Sequence, residues 1–220
     1  MTSGVKEQSQ LANIITLTRI FGVGLIFFLA PFETNLTQLW VISIYTIVCL
    51  TDLLDGWVAR RLNIVSNVGK ILDPLADKIL VLAFLPLLHM HVITAFPVFI
   101  ILAREFAIMA LRVFSAKDGI IVSANALGKI KTALTLPLCG LLFARVTVVE
   151  VEPLSLPFTL LYNVVKWVYG WPTWVMSNLI WATVAVTLWS FLDYLFKFFW
   201  QTNLKKMDGD VEKTKKFFKS

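Results

Sequence analysis

The chain has 220 residues, 58% of them hydrophobic and only 15% charged, against roughly a quarter charged in a soluble domain. Its mean hydropathy of +0.77, with 17 Phe and 8 Trp, excludes an ordinary water-soluble fold and points to lipid as the solvent. The net charge of +6 favours anionic head groups or phosphorylated substrates as partners. No basic stripe with interleaved aromatics lies on a soluble segment, which argues against nucleic acid.

A helix needs about 20 mostly apolar residues to cross the hydrocarbon core. Six stretches meet this, at roughly 11–32, 37–60, 70–92, 94–116, 122–146 and 174–200. The first lacks a small-residue cleavage site and is followed by five more, so it reads as a span and not as a signal peptide. Short gaps such as PFETNLTQ and MHVITAFP separate the runs, with no β alternation and no internal repeat. Cys49 and Cys139 sit in separate apolar runs, without disulfide or metal-ligand spacing. The expected fold is an all-α integral membrane protein of six transmembrane helices.

Lysine and arginine set the orientation. Arg60, Arg61, Lys70, Lys117 and Lys129 fall in even-numbered connections, and Lys205, Lys206, Lys213, Lys215, Lys216 and Lys219 in the tail. The other side holds Arg145 and Lys166. Both termini are therefore expected in the cytoplasm, with the protein multi-pass in its membrane. Leu154 to Trp174 is apolar enough for a seventh span, but that span would carry the lysine-rich tail outward. Its prolines, lysine and tryptophans suit an interfacial or re-entrant hairpin better. The expected organisation is a membrane domain over 1–200, with an outward-facing interfacial insertion at 147–173, and a flexible basic tail over 201–220 that is drawn to anionic lipid. His89 and His91 read as surface residues of the outward turn.

Thr51 to Lys78, TDLLDGWVARRLNIVSNVGKILDPLADK, places four aspartates in or beside apolar helices. A carboxylate there is costly without compensation. Asp52, Asp55, Gly56 and Ala59 share one helical face, continued by Arg60, and Gly69, Asp73 and Asp77 share another. Facing each other across a short connection, four carboxylates cannot all ionise without cations. Oxygen donors without His or Cys select hard divalent ions: magnesium, calcium or manganese. Two such ions suit a phosphoryl-type displacement. Gly56 and Ala59 leave a bare face for a bulky ligand, and Arg60 can meet a phosphate. Pro74 removes a backbone hydrogen bond after Asp73 and reads either as a kink or as an ordinary membrane-helix proline.

The pattern D-x2-D-G-x2-A-R-x8-G-x3-D-x3-D is met in full by Asp52, Asp55, Gly56, Ala59, Arg60, Gly69, Asp73 and Asp77. It resembles the signature of the CDP-alcohol phosphotransferases, integral membrane enzymes of phospholipid synthesis. NIITLTR, from Asn13 to Arg19, is similar to the family's opening of the first span. LAREFAIMALR and LGKIKT resemble segments of its bacterial members that act on glycerol 3-phosphate. The likeness covers most of 11–146 and fades over 147–173.

The resemblance implies that Asp52, Asp55 and Asp73 bind one metal and Asp52, Asp73 and Asp77 a second, with Mg2+ as the ion and Mn2+ as the alternative. It makes Asp77 the general base, and a carboxylate beside a metal can take a hydroxyl proton. It places CDP-diacylglycerol against Asn13, Thr16, Gly56, Ala59, Arg60 and Ser66, although Asn13 and Thr16 also read as a helix cap or interhelical bond. It implies a homodimer. On the acceptor side, Arg104 and Arg112 lie eight apart on one run, and Lys129 and Lys131 open the next. Arg104 is too far from its helix end simply to snorkel, and Glu105 can pair with these cations. Such a cluster suits an anionic acceptor, glycerol 3-phosphate. The expected reaction is attack of its 1-hydroxyl on CDP-diacylglycerol, releasing CMP. A sibling enzyme using inositol phosphate or serine is the nearest alternative. A divalent-cation transporter is the more distant one, because Arg60 beside the acids would repel the ion.

Overall fold

Apolar runs free of β alternation satisfy their backbone groups within one segment only as helices. In the computed structural model, which describes residues 17–32, 34–62, 78–117, 126–147 and 156–217, helices and turns account for all the described chain. In chain order these are α1 (Leu17–Leu29), α2 (Asn35–Leu62), α3 (Phe84–His89), α4 (Ala95–Lys117), α5 (Ala126–Val146), α6 (Leu156–Tyr169) and α7 (Thr173–Phe217). Leu127–Val146 and Thr173–Leu204 are each long and apolar enough to cross a membrane, and Leu17–Leu29, Leu36–Asp52 and Lys78–His89 are shorter apolar helices.

The distribution of side chains inverts that of a soluble protein. On α7, Trp181, Trp189, Leu192, Phe196 and Phe199 point outward and are more than half exposed, while Thr183, Thr187, Ser190 and Tyr194 are buried. Phe21, Phe28, Phe99 and Leu160 are likewise exposed. An outer surface of large apolar groups over a partly polar interior is stable against lipid and unstable against water. Buried hydroxyls are satisfied inside their own helices: Ser43 donates to the Leu39 carbonyl at 2.6 Å, Thr135 to that of Lys131 at 2.8 Å, and Thr183 to that of Leu179 at 2.8 Å.

Two close approaches set the frame. On α1, a Cβ at Gly22 would lie 2.5 Å from Val48 Cγ2 of α2, so the absent side chain lets these helices touch. On α5, a Cβ at Gly140 would lie 3.2 Å from Tyr45 Cε1. The Tyr45 ring packs 5.4 Å from Phe143, and its hydroxyl donates to the Leu136 carbonyl at 2.7 Å. That bond pins α2 to α5 next to Pro137, which lies inside the helix and offers no N–H of its own. The core around these contacts includes Val23, Ile26, Val41, Leu87, Ile101 and Leu142. From there α7 packs along both α4 and α5, and α6 packs on α5.

The expected third span, 70–92, is not one regular helix over its described part. It turns at Leu82–Ala83 before α3 begins. The cause is Pro86, whose ring would clash with the Leu82 carbonyl and which has no N–H to give it. The Leu82 carbonyl instead accepts from the Leu85 N–H at 2.9 Å, and Leu82 and Ala83 donate to Ile79 and Leu80. These are the tighter i→i−3 bonds of a 3₁₀ turn.

Residues 156–169 form one helix of 14 residues, short of the roughly 20 that span hydrocarbon. Val165 and Val168 are buried, and Leu160, Val164 and Trp167 are exposed. The turn to α7 is tight, with Trp171 N–H donating to the Val168 carbonyl at 3.0 Å. Arg145, at the end of α5, donates to the Tyr169 carbonyl and lies 5.5 Å from the Tyr169 ring centroid. Beyond residue 200, where a flexible tail is expected, the backbone remains helical to Phe217. The segment is rich in Lys and free of proline, and a single Gly209 costs only about 1 kcal/mol against helix propensity.

His89 and His91 are exposed at the end of α3, as expected of a surface turn. His91 has φ 56°, the left-handed conformation that closes a Schellman motif: Val92 N–H donates to Leu87 O and His91 N–H to Leu88 O, both at 3.1 Å. A left-handed non-glycine residue costs about 1–2 kcal/mol. His91→Gly should therefore raise the melting temperature, and His91→Val should lower it. Thermal unfolding of the detergent-solubilised protein followed by tryptophan fluorescence checks both signs.

Candidate active site

The first charged group lies between α1 and α2. Asp52 is three residues before Asp55 on one uninterrupted helix of 28 residues, which keeps Gly56, Ala59 and Arg60 on the same continuous backbone. The Asp52 carboxylate accepts from Arg19, with Nη1 and Oδ1 2.7 Å apart. Arg19 is buried, whereas a quarter of the Asp52 side chain is exposed. The contact follows from Gly22: one turn along α1 from Arg19, it seats against Val48, one turn before Asp52. Arg19 thus holds one carboxylate oxygen and leaves the side chain partly open. Asp52 is the one candidate metal ligand whose side chain is described, and no group of three or more His, Cys, Asp or Glu side chains gathers among the described residues. A part-open carboxylate oxygen is a donor of the type that hard divalent ions take.

The side chains of Asp55, Gly56, Ala59 and Arg60, and the residues Asn13, Thr16, Ser66, Gly69, Asp73 and Asp77, lie outside the described residues. So does the opposition of the two carboxylate stripes.

The second charged group centres on Glu105 of α4. Its Oε1 accepts from Arg104 Nη1 at 2.8 Å and from Lys131 Nζ, and its Oε2 accepts from Lys78 Nζ. Arg104 Nη2 also donates to Ser190 Oγ of α7 at 2.8 Å. The Glu105, Lys131 and Arg104 side chains are 5%, 3% and 10% exposed, and Lys78 23%. Among the described residues three cations thus share one carboxylate, two positive charges in excess inside an apolar bundle. Burying unmatched charge is costly, and an incoming phosphate would match it through charge-assisted bonds.

Of the four expected acceptor residues, Arg104 and Lys131 are brought together here. Arg112 and Lys129 are exposed and make no ion pair among the described residues. Arg112 is eight residues from Arg104 along α4, about 12 Å of helix axis. Sequence reasoning missed Lys78, Ser190 and the pairing of Arg19. Lys78 carried a signal, since it directly follows Asp77. Arg19 carried one too, as the last residue of the NIITLTR resemblance. Ser190 carried none, because a lone serine in an apolar helix usually bonds its own backbone. Thr187 Oγ1, Tyr194 OH and Arg104 Nε are also buried, without a hydrogen-bond partner among the described residues. The inner face of α7 is therefore polar beside this cluster.

The family model for CDP-alcohol phosphatidyltransferase matches residues 9–189. A protein of Bacillus subtilis is 44% identical over 135 residues, covering 56% of this chain and 70% of its own length. One of Rickettsia bellii is 34% identical over 131 residues, covering 59% and 72%. One of Salmonella typhimurium is 31% identical over 191 residues, covering 83% and 93%. All three carry the name CDP-diacylglycerol–glycerol-3-phosphate 3-phosphatidyltransferase. The match includes α1 to α6 and reaches the polar face of α7. The chain belongs to the CDP-alcohol phosphatidyltransferase family.

Proposed function

We propose that this enzyme transfers the phosphatidyl group of CDP-diacylglycerol to the 1-hydroxyl of sn-glycerol 3-phosphate, giving phosphatidylglycerophosphate and CMP. Family membership supports the class of reaction, and the names of the relatives support the acceptor. The observation that carries the acceptor choice is the buried excess of cations around Glu105. An uncharged alcohol such as free inositol has no group to match it.

The 1-hydroxyl oxygen forms a bond to the phosphorus that bears diacylglycerol. The bond from that phosphorus to the bridging oxygen of CMP breaks, and the hydroxyl proton passes to Asp77. Asp52, Asp55, Asp73 and Asp77 would hold two divalent cations, Mg2+ or alternatively Mn2+. When bound, these ions supply charge neutralisation at the diphosphate and polarisation of the acceptor hydroxyl. Arg19 orients Asp52 by holding Oδ1. The bare face at Gly56 and Ala59 takes the nucleotide, Arg60 meets the diphosphate, and Asn13, Thr16 and Ser66 complete the cytidine side. Arg104 and Lys131, with Arg112 and Lys129 from more exposed positions, take the acceptor phosphate.

The apolar exterior and the lysine-rich even connections support six spans with both termini in the cytoplasm. The active site then sits at the cytoplasmic head-group level of a bacterial membrane, with acyl chains remaining in the bilayer. The basic tail is attracted to anionic lipid, and the family likeness supports a homodimer.

CMP release by the purified protein, measured with a panel of acceptors, tests the reading. Glycerol 3-phosphate should support turnover, and glycerol, inositol and serine should not. Turnover with inositol phosphate or serine in its place would assign the chain to a sibling activity. Asp77→Asn should abolish turnover while CDP-diacylglycerol binding and the melting temperature stay near wild type, because it removes the proton acceptor and keeps the volume. Arg112→Ala should raise the KM for glycerol 3-phosphate about tenfold or more, as loss of a charged hydrogen bond costs about 1.5–3 kcal/mol. Steady-state kinetics varying each substrate in turn should show the KM for CDP-diacylglycerol within about twofold of wild type.

A further inference from the structure

One feature of the Glu105 cluster exceeds what ion pairing requires. A counterion for buried Lys131 needs a single contact, yet Glu105 divides its two oxygens between two directions. Oε1 faces Arg104 and Lys131, and Oε2 faces Lys78. The two lysines are separated from Glu105 by 26 and 27 residues in opposite directions along the chain. A fourth contact, from Arg104 to Ser190, spans 86 residues. One carboxylate thereby fixes the relative placement of α4, α5, α7 and the segment that begins at Lys78. Lys78 is the residue after Asp77.

We propose that Glu105 is a positioning residue of the transfer: it aligns Arg104 and Lys131 for the acceptor phosphate and ties the Asp77–Lys78 segment to the same frame. This rests on the reading of glycerol 3-phosphate as the acceptor. The distance between the acceptor's phosphate and its attacking 1-hydroxyl is set by the molecule. The cations that hold the phosphate must therefore keep a constant distance from the group that takes the proton. Glu105 touches Arg104 and Lys131 on one side and Lys78, the next residue in sequence after Asp77, on the other, and so supplies that constraint. It needs no contact with substrate to do so. A role limited to neutralising charge predicts something else: any carboxylate at this position would serve, and its loss would lower stability without favouring one substrate.

Two variants separate these roles in the purified full-length protein. Glu105→Gln keeps the size and removes the charge. Glu105→Asp keeps the charge but retracts the carboxylate by one methylene, so it cannot reach Lys78 and Lys131 together. Both should raise the KM for glycerol 3-phosphate about tenfold, with the KM for CDP-diacylglycerol within about twofold of wild type. Restoration of wild-type KM by Glu105→Asp overturns the proposal in favour of charge balance alone. So does an equal loss on both substrates, or an unchanged KM with a lowered melting temperature.

Removing Glu105 leaves Lys131 and Arg104 buried without a counterion, which can prevent folding. Lys78→Gln tests the same bridge from its more exposed end, leaving Arg104 and Lys131 paired. It should raise the KM for glycerol 3-phosphate about threefold or more and lower kcat as well, because the attacking hydroxyl is no longer held in register. A raised KM with unchanged kcat is the loss of one surplus charge alone and overturns the bridge. An unchanged KM in that variant overturns the bridge. Wild-type protein that releases CMP only with another acceptor overturns the glycerol 3-phosphate reading instead, and the same KM ratios on that acceptor then decide the role of Glu105.

Discussion

The rest of the structure depends on how charge is compensated inside an apolar bundle. Glu105 is buried among hydrophobic helices and would be untenable alone. Lys78, Arg104 and Lys131 converge on it from three separate places in the chain. Among the described residues the cations outnumber the carboxylate, an imbalance that a bound anion would offset. The Arg19–Asp52 pair follows a related logic with the opposite surplus. A buried cation takes one oxygen of a carboxylate that stands at the head of a motif with three further aspartates. By sequence the motif that Asp52 opens is rich in carboxylates, and among the described residues the Glu105 cluster is rich in cations. A reaction that brings a phosphorylated acceptor to a cation-bound diphosphate uses both.

The helices present these groups because small and polar residues interrupt an apolar core at particular inward positions, while large apolar residues also face outward. Gly22 and Gly140 remove side chains where helices must touch, and Tyr45 fastens α2 to α5 through the Leu136 carbonyl. Hydroxyls on the inner faces bond back to their own helices. Exceptions among the described residues include Thr187 and Tyr194 of α7, whose buried hydroxyls have no such partner. On α7 the same division places Ser190 beside Arg104 while Trp189 and Leu192 face outward.

Much of this was legible in the order of residues. The expected runs 37–60, 94–116 and 122–146 correspond closely to α2, α4 and α5, because apolar length reads directly as helix in lipid. The break at Leu82–Ala83 was not anticipated, although its cause, Pro86, is a local signal. The helical continuation to Phe217 depends on propensity, which a charged, lysine-rich segment conceals. At the site, the four aspartates stood out because charge in an apolar run demands an explanation, and Glu105 was legible as a partner for the same reason. Which cations reach it was not. Arg104, Arg112, Lys129 and Lys131 are equivalent by type and spacing. Only packing separates Arg104 and Lys131, buried on the carboxylate, from Arg112 and Lys129, which are exposed. Lys78 was obscured by the motif it adjoins, and Ser190 by its ordinariness.

At the centre of this account is recognition of the acceptor through its phosphate by a cluster with positive charge to spare. Calorimetric titration of the purified protein with glycerol 3-phosphate and with glycerol, in the absence of the nucleotide substrate, measures this most directly. The account predicts saturable binding of glycerol 3-phosphate, weakened by added salt and by competing inorganic phosphate, and no binding of glycerol at the same concentrations. Equal binding of the two alcohols, or binding of glycerol 3-phosphate that is indifferent to inorganic phosphate, would contradict it.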